Sequence, residues 1–154
     1  MDRKINRKGF TLVGLLVAIV IIGILLGLAV FNFVKWKKKM EVERDTDTIY
    51  SVIERYRIRA LTSHSEYKVF LENNGKSLVV KKGGTVIATY MLSHPFSFKG
   101  ATVSLDIDDK GIINNLTIYS NDTSVNALNP LYDCIVVSGG VNVKKGRWDG
   151  TSCK

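Results

Sequence analysis

Hydrophobic residues follow two different patterns along this chain, and the first is a long unbroken run. The segment from Gly9 to Val34 is uncharged and mostly apolar. An α-helix rises about 1.5 Å per residue, so about 20 residues cross a hydrocarbon layer of about 30 Å. The run therefore predicts a membrane-spanning helix.

The second pattern is an apolar stripe with helical spacing. Five residues recur at three- and four-residue intervals: Ile49, Val52, Ile53, Tyr56 and Ala60. Since no proline interrupts the segment, we predict one helix over Phe10–Leu61, ended by the polar residues Thr62–Ser65. Its second half, residues 35–62, is expected to be an amphipathic continuation that packs on a globular domain.

Beyond residue 62 the sequence changes to the alternation and turn signals of β-strands. Asn73–Gly75 separates the first two apolar-alternating segments as a hairpin turn would. The predicted strands are Tyr67–Glu72, Ser77–Lys81, Thr85–Met91, Ala101–Ile107, Ile112–Tyr119, Tyr132–Ser138 and Val141–Lys144. The predicted fold class is α+β, with a long N-terminal helix packed on an antiparallel β-sheet domain over residues 63–154.

The residues before the apolar run form a basic leader. Residues 1–9 contain four basic side chains and one acidic side chain, which favours a cytoplasmic N terminus. Residues 35–39 carry four lysines around Trp36, a composition suited to anionic lipid headgroups and the membrane boundary. Charge alone therefore leaves the orientation nearly balanced. A cleaved secretory signal is an alternative, although no Ala-x-Ala site precedes Lys35.

The junction between leader and run carries a family resemblance. Lys8-Gly9-Phe10-Thr11-Leu12, followed by a long apolar helix, resembles the prepilin signature of type IV pilins and type II secretion pseudopilins. The resemblance implies that prepilin peptidase cleaves between Gly9 and Phe10 and that Phe10 is N-methylated. It also implies that residues 10–34 span the bacterial inner membrane once, with the C-terminal domain in the periplasm, and later join other pilins in a filament core. A plain single-pass anchor is the alternative.

Position 14 departs from the family pattern. The fifth residue of the mature chain is usually glutamate in this family, whereas this chain has Gly14. In the family, that carboxylate pairs with the free amine of a neighbouring subunit, because a charge in an apolar core is costly unless paired. Two interpretations remain open: a rare minor subunit, such as one at a filament tip, or tolerated variation at this position.

A second resemblance lies at the predicted end of the helix. Tyr56-Arg57-Ile58-Arg59-Ala60-Leu61, followed by a polar turn and a strand, resembles the GspH/FimT group of minor pseudopilins and minor pilins. That group commonly has Ala-Arg-x-x-Ala here; Arg57 and Ala60 match, and Tyr56 replaces the first alanine. The resemblance implies a minor subunit of a type II secretion pseudopilus or a type IV pilus, without deciding between them.

The sequence contains two cysteines, Cys134 and Cys153. In a domain that faces an oxidising periplasm they are expected to form a disulfide, which would tie the C-terminal tail to the strand near Cys134. Closing a loop of that size stabilises a protein by about 3 kcal/mol. Two separate reduced thiols are the alternative.

The chain is basic, with 22 basic and 14 acidic side chains and a net charge of +8. Loss of residues 1–9 would leave 18 basic and 13 acidic side chains, a net charge of +5. Some FimT-like minor pilins bind DNA through a C-terminal Gly-Arg-x-Arg segment, but here Gly140-Val141-Asn142-Val143 occupies that place. Lys144, Lys145, Arg147 and Trp148 could still contact phosphates and stack on bases, or could simply be solvated.

The sequence offers little support for catalysis or for a cofactor. His64 and His94 have no metal-ligand spacing to cysteines or carboxylates, and we interpret each as a surface or turn residue. Asp106–Gly111 lacks the ligands of a calcium loop and is interpreted as a hairpin turn. A membrane-tethered enzyme is thus the weakest of the three function classes, after a filament subunit and a ligand-binding module.

Overall fold

The computed structural model describes residues 11–154, so Gly9 and Phe10 lie outside the described residues. One helix, α1 (Leu12–Ser63), begins near the start of this range and is 52 residues long. The chain divides into two compact units, one that ends at Trp36 and one that comprises Lys37–Lys154. Helix α1 contributes to both.

Both ends of α1 have recognisable caps. The Thr11 hydroxyl accepts a hydrogen bond from the Gly14 N–H at 3.3 Å, which satisfies one of the free donors of the first turn. At the other end His64 takes a left-handed conformation, with φ of 45°, and the Ser65 N–H donates to the Ala60 carbonyl at 3.4 Å. The helix thus ends inside the predicted polar segment, two residues beyond Leu61.

The second unit contains two four-stranded antiparallel sheets. Sheet A has the order β3-β2-β1-β5, and sheet B has the order β4-β6-β7-β8. The strands of sheet A are β1 (Tyr67–Glu72), β2 (Ser77–Lys82), β3 (Thr85–Met91) and β5 (Ser104–Ile107). The strands of sheet B are β4 (Phe96–Phe98), β6 (Leu116–Ser120), β7 (Cys134–Ser138) and β8 (Asn142–Gly146). The predicted α+β class with antiparallel sheet is confirmed.

The apolar stripe of α1 and the inner faces of both sheets form one core. All five residues of the predicted stripe are buried, with Ile49, Ile53 and Ala60 fully inaccessible. The sheets contribute Val69, Leu78, Val80, Leu105, Ile107, Ile118, Ile135 and Val137. Because a fully buried large aliphatic side chain contributes about 1.5–3 kcal/mol, this core fixes α1 against the β domain.

Several predicted boundaries were wrong. The strands predicted to begin at Ala101, Ile112 and Tyr132 begin three, four and two residues later. In the region of the second, the side chain of Asn114 bonds the backbone of β5: its Oδ1 accepts from the Asp106 N–H at 2.8 Å. A side chain that satisfies the backbone in this way replaces regular strand pairing.

Two short elements were missed altogether. β4 follows Pro95 and has three residues, too few to show alternation, but Phe96 is buried and pairs with Ser120. The helix α2 (Thr123–Asn126) lies in a segment that was expected to be an irregular loop. Its N-cap is Asp122, which accepts a hydrogen bond from the Ser124 N–H at 2.9 Å.

Candidate functional site

The first part of α1 presents an almost continuous apolar surface. Its described large aliphatic side chains are exposed, from Leu12 with 81% of its surface accessible to Val34. Of the helices in residues 11–154, α1 is the one long and apolar enough to cross a membrane, as judged by length and composition. This surface needs an apolar environment, either lipid or other helices.

Gly14 lies in the first turn of this helix, at the third helical position. Glutamate at that position commonly bonds back to the N-cap residue, here Thr11. A Cβ atom added to Gly14 would lie 3.3 Å from the Thr11 hydroxyl oxygen, so a larger residue needs only a small shift of that side chain. The backbone therefore accommodates a glutamate that the sequence does not supply.

Arg57, the arginine of the GspH/FimT-like segment, joins α1 to loops of both sheets. Its Nε donates to the Gly111 carbonyl at 3.1 Å, and its Nη1 donates to the Val141 carbonyl at 2.8 Å. Gly111 follows β5 of sheet A, whereas Val141 precedes β8 of sheet B. One guanidinium thus satisfies carbonyls from two loops that no local pattern relates.

The C-terminal segment is attached to sheet B by three kinds of contact. Cys134 of β7 and Cys153 form a disulfide with a Cα–Cα distance of 5.9 Å. The Trp148 ring stacks on Tyr119 of β6 at a centroid distance of 4.2 Å. The Arg147 N–H donates to the Lys154 carbonyl at 2.7 Å, and the Lys154 N–H returns a bond of 2.9 Å. The tail is therefore an ordered part of the β domain.

Trp148 and Arg147 help to form an open cleft of about 500 Å³ at this end of sheet B. The other residues that line it are Tyr119, Asn121, Thr123, Asp149 and Gly150. The Lys99 ammonium lies 5.8 Å from the centroid of the Trp148 ring. Sequence reasoning missed Lys99 and Tyr119, because only the sheet register brings them next to the tail.

The four residues predicted to contact nucleic acid lie in different environments. Lys144 and Lys145 are adjacent on β8 and therefore point to opposite faces. Lys145 bonds Asp47 of α1 at 2.6 Å and lies 4.3 Å from the Tyr132 ring centroid, and the bond to Asp47 is the main reason that the Lys145 pKa is raised. Arg147 bonds Asn129. Trp148 and Arg147 thus line the same cleft, while Lys145 is bonded to Asp47 of α1.

A buried carboxylate anchors the loop before β4 to α1. Asp45 Oδ2 accepts hydrogen bonds of 2.8 Å from the backbone N–H groups of Ser93 and His94. Burial raises the pKa of Asp45, and the two bonds oppose that rise only in part. This carboxylate therefore costs more to ionise in the folded protein than in the unfolded chain.

His94 is buried, so its interpretation as a surface residue was wrong. It lies in a bend of the backbone. Its Nδ1 lies 2.9 Å from Asp122 Oδ2, and its Nε2 lies 3.6 Å from Glu41 Oε2. The pKa of Asp122 is lowered, first by its bond from the Ser124 hydroxyl and also by His94. His94 therefore joins α1 to the N terminus of α2.

The remaining candidate residues lie in turns. Asp108 Oδ1 accepts from the N–H groups of Lys110 and Ile112 at 2.9 and 2.7 Å, so the segment around it is a turn, as predicted. His64 is exposed at the end of α1. Within residues 11–154 no group of three or more histidine, cysteine or carboxylate side chains is arranged to hold a metal ion.

Comparison with known proteins gives two findings, one for the sequence and one for the fold. Residues 4–30 match the prokaryotic N-terminal methylation motif. The fold of the chain is that of solved pilin-like proteins, a long N-terminal helix packed on antiparallel sheets. The motif and the fold both support the first resemblance, to type IV pilins and type II secretion pseudopilins.

Two kinds of solved structure illustrate the likeness. One is the type IV minor pilin FimU of Pseudomonas aeruginosa, with 11% identity and a TM-score of 0.52 over 68% of this chain and 87% of that chain. The other is the minor pseudopilin EpsH of the Vibrio cholerae type 2 secretion system, with 11% identity and a TM-score of 0.51 over 68% of this chain and 95% of that chain. At such identity the likeness concerns the fold alone. No curated protein matches the chain significantly.

Proposed function

We propose that this chain is a GspH/FimT-like minor subunit of a type II secretion pseudopilus or a type IV pilus. One observation carries the proposal: the methylation motif over residues 4–30 leads into a single uninterrupted helix whose second half packs on the β domain. That arrangement suits a protein held first by lipid and later by other helices. Assembly, rather than catalysis, is the proposed activity.

The exposed apolar surface of α1 supports a mechanism of transfer from bilayer to filament. Lipid tails and neighbouring apolar helices are similarly hydrophobic, so the exchange is governed mainly by helix packing. Gly23 and Gly27 have open space around their Cβ positions and would allow close approach of another helix. In this proposal the β domain contributes lateral contacts with other pilins.

The proposed topology is a single pass of the bacterial inner membrane with residues 37–154 in the periplasm. The disulfide between Cys134 and Cys153 supports it, because structural disulfides persist in oxidising compartments. Trp36 and the exposed Lys37 and Lys38 suit the boundary between lipid and water. Prepilin peptidase acting between Gly9 and Phe10 would remove the basic leader on the cytoplasmic face.

The mass and N-terminal sequence of the protein from cells with and without prepilin peptidase test this proposal. We expect a mature chain that begins at Phe10 and carries one added methyl group when the peptidase is present, and the intact precursor when it is absent. Gly9→Val should block processing, whereas Gly23→Ala should not. A native protein that keeps residues 1–9, or that begins well beyond Phe10, would contradict the proposal.

A second candidate function is binding of single-stranded DNA at the cleft of sheet B. The observation that favours it is the stacked pair of Trp148 and Tyr119 with Lys99 and Arg147 close by. Aromatic rings stack on bases and cations contact phosphates, a combination that many single-strand binders use. Lys145 is not expected to contribute, because it is paired with Asp47.

Salt-dependent binding to a single-stranded oligonucleotide tests this second function. Neutralising Lys99 and Arg147 should weaken binding and reduce its salt dependence, and Trp148→Ala should weaken it through lost stacking. Neutralising Lys68 and Lys82, which belong to sheet A, is the matched control for total charge. Equal losses from both pairs would indicate nonspecific attraction rather than a site.

A further inference from the structure

The loop that joins α2 to β7, residues 127–133, holds a leucine out in solvent. Leu131 has 69% of its surface accessible. The loop is nevertheless fixed in place, because the Leu131 N–H donates to Glu43 Oε1 of α1 at 2.8 Å and Arg147 bonds the side chain of Asn129. The exposure of this large apolar side chain is therefore a property of the ordered fold.

Leu131 belongs to a small apolar surface beside α1. The Glu43 side chain that binds the loop also lines an open groove of about 540 Å³, together with Met40 and Tyr132. Met40 is 47% exposed, and Tyr132 follows Leu131 in the chain. Tyrosine is enriched at membrane–water boundaries, where an apolar ring and a polar hydroxyl both find suitable surroundings. We call Met40, Leu131 and Tyr132 the apolar tip.

Helix α1 shows how far the apolar tip lies from the predicted membrane boundary. The apolar run ends at Val34, and Lys37 begins the second unit. Glu43 is six residues beyond Lys37, which is about 9 Å along the helix. The headgroup layer extends about 5–8 Å beyond the hydrocarbon core on each side. Because helical side chains lean toward the N terminus, the Glu43 carboxylate and the loop bonded to it lie close to the height of the headgroups.

The charges around the apolar tip suit an anionic bilayer surface. Three cations at this end of α1 form no ion pair with any residue of the described range 11–154: Lys38, Lys39 and Arg44. The acids there already have partners within the chain: Glu41 with Lys37, Glu43 with the Leu131 N–H, and Asp47 with Lys145. Residues 123–132 carry no charged side chain. Lipid contact would therefore bring cations, but no unpaired acid, to the headgroups.

We propose that the apolar tip and the cations beside it dock on the bilayer that holds α1, with the Leu131 side chain inserted among anionic lipids. The inference rests on the proposed membrane topology and extends it, because it assigns the face of the β domain that meets lipid. The bilayer is the occupant because α1 keeps this surface within about 10 Å of it, so lipid is present at a high effective concentration. Docking would orient the β domain before α1 is transferred into a filament.

The opposite end of the β domain provides a matched reference. Val141 is 52% exposed, and its carbonyl accepts the bond from Arg57 of α1. Arg57 lies 14 residues beyond Glu43, about 21 Å farther along the helix. Val141 is therefore expected to remain in water when the apolar tip is docked.

Spin labels on full-length chains in nanodiscs, with one chain per disc and anionic lipid present, test the docking. Single labelled cysteines are introduced as Leu131→Cys, Val141→Cys and Leu25→Cys, and the native disulfide stays intact. Collisions with oxygen, which is concentrated in lipid, and with a water-soluble nickel chelate report the surroundings of each label. We expect the Leu131→Cys label to collide often with oxygen and rarely with nickel, and the Val141→Cys label to show the reverse.

The Leu25→Cys label separates failure of the docking from failure of the topology. If this label meets oxygen while the Leu131→Cys label meets nickel as often as the Val141→Cys label does, the docking alone is overturned. If the Leu25→Cys label lies in water, the membrane span is overturned and the docking with it. A Leu131→Cys label shielded from both reagents would indicate contact with protein and would also overturn the docking.

A second set of variants tests the contribution of Leu131 with the label moved to the exposed Ala127→Cys. Leu131→Asp should raise the nickel collisions of this label about fivefold, because a carboxylate is disfavoured in the bilayer, whereas Val141→Asp should leave them unchanged. Leu131 is exposed, so its substitution leaves the core intact. Neutral lipid should also raise the collisions, since the cations lose their partners. A label that stays protected after either change would overturn the proposal, as would equal effects of the two aspartate substitutions.

Discussion

Single residues hold the β domain to α1 through contacts that reach far along the sequence. Arg57, Asp45 and Lys145 each connect the helix to segments 48 or more residues away. Such contacts stabilise the fold only if the partners stay ordered, because fixing side chains costs conformational entropy. Arg57 and Asp45 are the most informative to change, since their partners are backbone groups that remain in every variant.

Arg57→Ala should lower the free energy of unfolding by about 2 kcal/mol, because two carbonyls lose charge-assisted hydrogen bonds. Arg57→Lys should recover only part of the loss, since one ammonium cannot replace both guanidinium bonds. Denaturant unfolding of the full-length chain in detergent, followed by tryptophan fluorescence, measures the effect. Arg44→Ala, an exposed change on the same helix, should cost much less; equal costs would mean that Arg57 acts only through its charge.

Asp45 should make the protein less stable as the pH rises from the ordinary aspartate pKa of 3.8 through the raised pKa of the folded state. Burial raises the pKa of folded Asp45 above its ordinary value of 3.8, so the folded state binds more protons than the unfolded state in that range. Asp45→Asn keeps an oxygen acceptor for Ser93 and His94 and should flatten this part of the pH profile. Asp109→Asn, at an exposed position, should not; an unchanged slope in Asp45→Asn would refute the assignment.

At the scale of elements, tight turns decide where strands begin and how the sheets meet. Gly139 and Gly140 form the turn between β7 and β8 and have φ of 63° and 75°. The Gly140 carbonyl also accepts from the Ile113 N–H at 2.8 Å, which links sheet B to the segment beside sheet A. The turn therefore positions both sheets and the Val141 carbonyl that Arg57 bonds.

Gly140→Ala should destabilise the protein more than Gly139→Ala. Both substitutions place an L-residue in the left-handed region, at a cost of about 1–2 kcal/mol. Only at position 140 would the new Cβ also meet a neighbour, Ile112 Cγ2 at 2.6 Å, while Gly139 has open space. Thermal unfolding of both variants measures the difference. Adding Ile112→Ala should rescue Gly140→Ala in part, and equal destabilisation without rescue would exclude the steric explanation.

At the scale of the whole molecule, helix α1 determines which assemblies the protein can join. Its apolar surface can contact either lipid or the other helices of a filament. The family pattern has a charged glutamate at position 14, where this chain has glycine. If the chain is a rare minor subunit, Gly14→Glu should increase its incorporation into filaments relative to wild type, because the carboxylate could pair with a neighbour's amine. Quantitative immunoblotting of sheared filaments measures this.

Gly14→Gln is the control for size without charge and should leave incorporation near the wild-type level. Room for either side chain exists, since Thr11 is the nearest contact. If Gly14→Glu changes nothing, Gly14 is tolerated variation and the minor-subunit interpretation loses its support from this position. Either result leaves the pilin-like fold unaffected.

The sequence by itself determined the features that arise from local periodicity. The apolar run, the stripe of α1 and the first three strands were predictable, because burial of one helix face or one strand face imposes spacing that is visible in the chain. The family resemblance at Lys8–Leu12 was also visible in the sequence, because the residues that carry it are contiguous. Strand β4 was not, because three residues after a proline show no period.

Only the tertiary structure decided which distant residues meet. Sheet register placed Tyr119 beside Trp148 and turned Lys145 toward Asp47, so the predicted basic patch became one cleft and one structural contact. The fold also buried His94. These outcomes depend on long-range packing, whose energy is shared among residues far apart in sequence and leaves no pattern in any local segment.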